Sequence, residues 1–327
     1  MNFFRAVLSI LQPVWPGAAA WLAERLFFTA PRRPGSTTAR AALANAVRFT
    51  LRVDGRRVIG WRWGDRGRPV IYLIHGWGSR GARMSAFVQP LLGAGYSVVT
   101  YDAPGHGASG WGMSSMPEFA RTLAAVTARE GNESTPHAVI AHSMGCAGTA
   151  LALSWGLEVS RLVFLGPAAD PVAWIPPFAR ALRLRPDVLN RMQARSERRL
   201  RFRWADVNVC DIARRLPNPP PLLIVHDNQD ETVAARDGEA IAAAWPRAQL
   251  RRTEGLGHRG VTHDPSIVAQ AVDFVTAGSL DSSRRMSDAQ RLEHALFYRE
   301  ERVWSALSSP ANSWSSGRPR SDTTQHV

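Results

Sequence analysis

Apolar runs separated by helical and loop segments dominate residues 45–277. The first run alternates apolar and polar positions from Val47 to Val53, which is typical of a half-buried strand, and Asp54-Gly55 then predicts a two-residue hairpin turn. Most later runs are continuous, as in strands that are buried on both faces of a parallel sheet. The predicted strands span 47–53, 58–63, 69–74, 96–101, 137–141, 162–165, 222–225 and 248–252.

Helical patterns separate most of these strands, at 82–92, 116–129, 146–153, 239–245 and 267–274. Strands that alternate with helices predict a mostly parallel α/β sheet of about eight strands with helices on both faces. Residues 167–216 interrupt the alternation with apolar positions at helical spacing, and we interpret them as an inserted helical lid, here called the insertion. The predicted organisation is an apolar N-terminal arm (1–40), an α/β core (41–166 and 217–278), the insertion (167–216) and a polar, partly disordered C-terminal tail (279–327).

The arm has an uncharged stretch at residues 6–23. A spanning helix needs about 20 unbroken apolar residues, and Gln12, Pro13 and Pro16 interrupt this one. The pattern therefore favours an amphipathic arm that packs on the domain or touches a membrane surface over a spanning or cleaved segment. We expect a cytoplasmic protein, with association to a membrane surface through the arm as an alternative.

The formal net charge of +13 comes entirely from arginine, since the chain contains no lysine. The arginines are scattered and accompany no nucleic-acid motif, so we expect no nucleic-acid partner. The densest run, 191–203, falls in the insertion, where it could hold an anionic substrate or form a solvated helix face. Cys146 and Cys210 form neither a disulfide framework nor a metal-ligand spacing.

The strongest chemical signal is Ser143, which lies between a predicted buried strand and a helix of small residues. Ala141 and Gly145 stand two positions before and after it, and a sharp strand–turn–helix nucleophile requires small residues at both places. Later strands end in loops that carry Asp227, Asp230 and His258. Loops at the carboxyl ends of parallel strands meet at one edge of a sheet, so a serine, an acid and a histidine are expected together there.

The motifs HGWGS (75–79), DAPGHGAS (102–109), AHSMG (141–145) and GLGH (255–258) occur at successive strand ends. In this combination and order, residues 45–277 resemble the α/β-hydrolases. The resemblance implies a Ser143 nucleophile, His258 as general base and an acid that orients it. It also implies an oxyanion hole from the backbone N–H groups of Trp77 and Met144.

Two of these assignments have competitors in the sequence. Asp230 is favoured over Asp227 because Val233 follows it at the family's usual spacing, which leaves Asp227 as a loop cap. His258 is favoured over His263 because it follows a Gly-x-Gly loop directly after the last strand. His106, in a glycine-rich turn, is expected to be structural.

The expected substrate is a small to medium hydrophobic acyl compound, cleaved as a carboxylic ester or thioester. The residues expected around it are His75 (which shapes the oxyanion loop), His142, Trp174 and Phe178. A carbon–carbon bond hydrolase, an acyltransferase and a non-catalytic binding protein on the same fold stay as alternatives. A serine nucleophile argues against the epoxide hydrolases and haloalkane dehalogenases of the family, which use aspartate. No metal or cofactor is expected.

Overall fold

The computed structural model describes residues 2–31, 37, 41–131 and 135–277. Within these residues the chain forms one eight-stranded sheet in the order β1-β2-β4-β3-β5-β6-β7-β8. The predicted C-terminal tail (279–327) lies outside them. The strands are β1 Val47–Val53, β2 Arg56–Trp63, β3 Val70–Ile74, β4 Ser97–Asp102, β5 Ala138–His142, β6 Arg161–Leu165, β7 Leu222–Asp227 and β8 Ala248–Thr253.

The pairing follows the predicted pattern of an antiparallel start and a parallel remainder. β1 pairs antiparallel with β2, and β2 pairs antiparallel with β4, whereas β4, β3, β5, β6, β7 and β8 are mutually parallel. At the first hairpin Asp54 has φ 49° and Gly55 has φ 73°, the left-handed pair that a tight two-residue turn requires. The α/β fold predicted from the apolar pattern is therefore confirmed.

Helices cover both faces of the sheet. On β3, Val70, Tyr72 and Ile74 belong to the main apolar core, and the intervening Ile71 and Leu73 point to the opposite face. The helices are α1 Asn2–Val14, α2 Pro16–Phe28, α3 Val88–Gly93, α4 Met116–Glu130, α5 Met144–Ser154, α6 Ile175–Leu182, α7 Pro186–Leu200, α8 Val209–Arg215, α9 Ala235–Ala244, α10 Gly257–Gly260 and α11 Pro265–Thr276. Helices α4, α5, α8 and α9 pack side by side on one face, and α3 and α11 contact each other on the other.

Several helices begin where the local sequence supplies a cap. Ser115 caps the start of α4 by accepting a hydrogen bond from the Glu118 amide, and its hydroxyl donates to the Glu118 carboxylate. Asn208 and Asp264 cap α8 and α11 through side-chain oxygens that accept from backbone amides.

Two helices differ from their predicted bounds. The predicted helix at 82–92 is a 3₁₀ helix (Gly81–Phe87) followed by α3, and α9 starts at Ala235, four residues before its predicted start.

The arm and the insertion share a second, smaller apolar core, which the sequence did not predict. It is built from α1, α2, α6 and α7 around Leu8, Ala19, Ala20, Ala23, Leu182, Val188 and Met192. By contrast, α8 contributes Val209 and Ile212 to the main core, so the part of the insertion that packs away from the sheet ends before Val209. The two halves of this second core belong to segments that lie about 150 residues apart in sequence.

Polar contacts fix the arm on the insertion. The buried carboxylate of Glu24 in α2 binds both Arg195 and Arg199 of α7, at 2.6 Å each. Gln12 donates to the Arg183 carbonyl and accepts from the Arg185 amide, at 3.1 and 2.7 Å. Because a buried charge without partners is costly, these contacts define one docked position for the arm. Among the described helices, none is long and apolar enough to cross a bilayer.

Candidate active site

Ser143 is the single residue between the end of β5 and the start of α5, and it forms a sharp strand-to-helix turn. Its backbone has φ 54° and ψ −121°, a conformation that L-residues rarely adopt and that costs about 1–3 kcal/mol. The turn is possible because its neighbours are small. A Cβ on Gly145 would lie 2.7 Å from the His75 carbonyl oxygen, and Ala141 is completely buried. The surrounding packing thus holds the serine side chain outward in a strained turn.

The three side chains predicted for catalysis form one hydrogen-bonded relay. Ser143 Oγ lies 3.0 Å from His258 Nε2, and His258 Nδ1 lies 2.7 Å from Asp230 Oδ2. An ionised carboxylate can only accept, so the proton sits on Nδ1 and leaves Nε2 to accept from the serine hydroxyl. This tautomer is the one that a general base beside a serine needs.

Asp230 is held as a carboxylate by its surroundings. Burial raises the pKa of Asp230, but hydrogen bonds from His226, His258 and the Val233 amide outweigh it and hold the pKa below the ordinary aspartate range. Its other oxygen accepts from the Thr232 and Val233 amides, at 2.8 Å each. The acid is therefore charged throughout the neutral range and rigidly placed.

The competing acid and base lie elsewhere. Asp227 accepts hydrogen bonds from the Thr253 hydroxyl and the Leu256 amide, at 2.8 and 3.0 Å, and so joins the loops after β7 and β8. His263 is exposed and contacts the Thr262 hydroxyl at 3.4 Å. Of the alternatives left open by the sequence, the relay contains Asp230 and His258.

Two residues that border the relay were not identified from the sequence. His226 is fully buried in β7, where its Nε2 donates to the Val233 carbonyl at 3.0 Å and lies 3.5 Å from Asp230 Oδ2. Gly166 follows β6 with φ 54°, and a Cβ there would lie 3.2 Å from His258 Nδ1. The available signals were a histidine inside an apolar strand, four residues before the acid, and a glycine directly after a buried strand.

The loop after β3 lies against the nucleophile. A Cβ on Gly76 would be 2.7 Å from the Ser143 Cβ, so only glycine allows this approach. The amides of Trp77, next in this loop, and of Met144, first in α5, donate to no other described residue. They are the two amides expected to form an oxyanion hole.

Two buried histidines support that loop. His75 Nε2 accepts from the Ala103 amide at 3.0 Å, and His106 Nε2 accepts from the Gly78 amide at 3.0 Å. His75 is completely buried behind the loop, so it shapes the loop as expected but forms no part of the substrate wall. His106 has the structural role expected from its glycine-rich turn. Together these imidazoles join the loops after β3 and β4.

Burial also lowers the pKa of three histidines, to about 4 for His75 and about 3 for His106 and His142. His142 is consequently neutral, and its Nε2 donates to the His258 carbonyl at 2.8 Å. A neutral ring in this position would not oppose a positive charge on His258. His75, His106 and His142 are thus uncharged at neutral pH.

These shifts predict a steep loss of stability in mild acid. The unfolded chain binds protons at His75, His106 and His142 below about pH 6.5, whereas the folded chain does so only near pH 3–4. The free energy of unfolding should therefore fall between pH 6.5 and 4, by about 1.4 kcal/mol per pH unit for each histidine. Denaturant unfolding at stepped pH measures it. His106→Gln should reduce the slope by roughly a third, and a flat profile down to pH 4.5 would contradict the assignment.

A cavity of about 640 Å³ opens over Ser143 and His258. His142 and Trp174 line it, as expected, and so does Trp77. Phe178 does not, which corrects its assignment to the substrate site; its ring packs edge-on against Phe27, with centroids 5.0 Å apart. The apolar part of the lining includes Phe27, Phe28, Trp77, Met84, Met116, Trp174, Phe202, Trp204 and Val207.

The charged side chains in the described lining are basic. Arg80, Arg83 and Arg259 line the cavity, and no Asp or Glu is found among the described residues that do so. Within the described part of the chain, no cluster of histidine, cysteine and acidic side chains is arranged to hold a metal ion. The arrangement is suited to acyl transfer: a nucleophile with its base, two amide donors and an apolar chamber.

Comparison with known proteins agrees with this geometry. Residues 65–218 match the serine aminopeptidase family S33 (Hydrolase_4). A bifunctional esterase/perhydrolase of Acinetobacter calcoaceticus is 34% identical over 122 residues, which cover 37% of this chain and 40% of the relative. The matched segment thus spans well under half of that relative's length.

Solved structures show the same fold. An esterase of Pyrococcus furiosus superposes with a TM-score of 0.57 at 18% identity, covering 76% of this chain and 98% of its own. The esterase RhEst1 of Rhodococcus sp. ECU1013 gives 0.52 at 19% identity, covering 71% and 99%. The chain therefore shares the fold of these esterases, and its residues 65–218 match the serine aminopeptidase model.

Proposed function

We propose that the protein hydrolyses a carboxylic ester or thioester through an acyl-enzyme on Ser143. The observation that carries the proposal is the relay of Ser143, His258 and Asp230, with distances of 3.0 and 2.7 Å, beside a largely apolar cavity. A free serine hydroxyl is a poor nucleophile at neutral pH. An oriented imidazole beside it activates the hydroxyl by accepting its proton.

The proposed reaction has two stages with the same groups. Ser143 Oγ attacks the acyl carbon while His258 Nε2 takes its proton, and the Trp77 and Met144 amides bind the oxyanion. The imidazolium, stabilised by the Asp230 carboxylate, then protonates the leaving alcohol or thiol. In the second stage His258 deprotonates water, which attacks the acyl carbon. The imidazolium then returns this proton to Ser143 Oγ as the bond to the acyl carbon breaks and the acid is released.

The cavity lining favours an acyl substrate over a peptide with a free amino terminus. An aminopeptidase needs an anionic or polar anchor for the substrate ammonium, and the described lining offers Arg80, Arg83 and Arg259 but no carboxylate. The aromatic wall from α2 and the insertion suits a hydrocarbon chain. The relative whose name includes esterase supports the same choice.

Turnover of p-nitrophenyl acetate, butyrate and octanoate, compared with alanine p-nitroanilide, tests the proposal. We expect hydrolysis of the esters and at most trace cleavage of the anilide, because the cavity repels an ammonium group. The acyl chain length that is hydrolysed fastest then indicates how long a chain the cavity accommodates. Faster anilide cleavage would favour a peptidase. A folded protein inactive on all four compounds would favour a binding role.

A further inference from the structure

Helix α1 is apolar on two faces, and only one of them packs on other residues that the structure describes. Phe4, Leu8 and Leu11 face the small core shared with the insertion. On the outside, Phe3 is 72%, Ile10 68% and Val14 80% exposed. These positions, with Val7 between them, fall on one stripe at helical spacing, here called the outer stripe. An isolated exposed apolar residue is ordinary, but a whole helical stripe is a binding surface.

The exposed apolar surface continues past the end of α1. Trp15, between α1 and α2, is 68% exposed, and Trp21 of α2 is 44% exposed. The guanidinium of Arg25 lies over the Trp21 ring, 5.1 Å from its centroid. Tryptophan is the residue most characteristic of the boundary between water and hydrocarbon, since its ring is apolar and its N–H is polar.

The protein around the hairpin of α1 and α2 is strongly basic. Residues 171–215, which include the helices that pack on it, contain eleven arginines and four acidic residues. Arg195 and Arg199 share the single carboxylate of Glu24, which offsets one of their two charges, and Arg180, Arg183, Arg191 and Arg198 are exposed. A cationic surface beside an exposed apolar stripe is complementary to a lipid bilayer with anionic headgroups outside and hydrocarbon inside.

We propose that the hairpin of α1 and α2 docks the protein on anionic lipid bilayers, with the outer stripe and the two tryptophans entering the headgroup boundary. Helix α1 has 13 residues and is about 20 Å long, short of the roughly 30 Å of a hydrocarbon core, so it lies in the plane of the surface. The opposite end of α2 supplies Phe27 and Phe28 to the cavity wall. The docking element and two residues of the cavity wall thus belong to the same helical hairpin.

Flotation of the full-length chain with vesicles tests docking independently of any catalytic reaction. We expect the protein to float with phosphatidylcholine vesicles that contain about a third phosphatidylglycerol. Pure phosphatidylcholine should carry much less protein, and high salt should reduce binding. The double variant Ile10→Asp, Val14→Asp should lose at least about tenfold in bound protein. Val47→Asp is the matched control, because Val47 is 70% exposed on the edge strand, away from the hairpin.

Thermal unfolding confirms that each variant is folded before it is tested. Failure of the wild type to float with anionic vesicles at low salt would overturn the proposal, as would equal binding by the double variant. Gel filtration without lipid identifies the main rival occupant. A dimer that Ile10→Asp, Val14→Asp dissociates would assign the outer stripe to a second copy of the chain instead.

Discussion

Replacing Ser143 by alanine should abolish labelling by a fluorophosphonate probe and lower kcat on p-nitrophenyl butyrate by about 10⁶-fold. The change removes only the oxygen that lies 3.0 Å from His258 Nε2. The oxyanion amides and the cavity stay in place, so the substrate should still bind, and the loss should appear in kcat rather than in KM. Steady-state kinetics and gel-based labelling of matched samples measure both effects.

Ser79→Ala is the control for this prediction. Ser79 lines the same cavity but takes no part in the relay, so the variant should label and turn over like the wild type. Cys146 is no substitute nucleophile, since burial raises the pKa of its thiol and keeps it protonated. Persistent labelling of Ser143→Ala would show that another side chain carries the acyl group, and the proposed mechanism would fail.

The sheet and the relay were predictable because each rests on a strong local signal. Continuous apolar runs such as β3 and β5 are typical of strands buried on both faces, and their alternation with helices leaves few topologies. Once the sheet is parallel, its carboxyl ends share one edge, and Ser143, Asp230 and His258 must meet there. The structure brings these side chains within hydrogen-bonding distance by that rule.

The docking of the arm on the insertion was not predictable from the pattern. In α1 the buried Leu8 and the exposed Ile10 are both apolar, so hydrophobicity alone does not say which face packs. The contacts that settle the position, such as Glu24 with Arg195 and Arg199, join residues about 175 positions apart. An arginine-rich helix offers many partners for one glutamate, and only the folded geometry selects two.

The error at Phe178 has the same origin. Trp174 ends a 3₁₀ turn and Phe178 lies in α6, so a spacing of four does not place them on one face as it would in a continuous α-helix. Trp174 lines the cavity, whereas Phe178 packs against Phe27. His226 was given no role from the sequence because a histidine inside an apolar strand is most often an ordinary buried polar residue. Its Nε2 lies 3.5 Å from Asp230 Oδ2, a proximity that only the folded chain shows.

Asp230→Asn should lower kcat by about 10⁴-fold while leaving the protein folded. The amide is nearly the same size as the carboxylate, but its nitrogen can donate where the carboxylate only accepts. Facing an amide N–H, His258 would carry its proton on Nε2, and the lone pair that Ser143 needs would be lost. The charge that stabilises the imidazolium would also disappear. Single-turnover kinetics on p-nitrophenyl acetate isolate the acylation step in which both losses act.

Asp227→Asn provides the matched comparison three residues away. Asp227 bridges the Thr253 hydroxyl and the Leu256 amide and is not hydrogen-bonded to His258, so its loss should loosen the loop that carries the base. We expect this variant to unfold at a lower denaturant concentration but to keep kcat within about tenfold of the wild type. The opposite result, with Asp227→Asn inactive and Asp230→Asn near wild type, would move the acid to Asp227. Equal losses in both variants would mean that loop order, rather than tautomer control, limits the reaction.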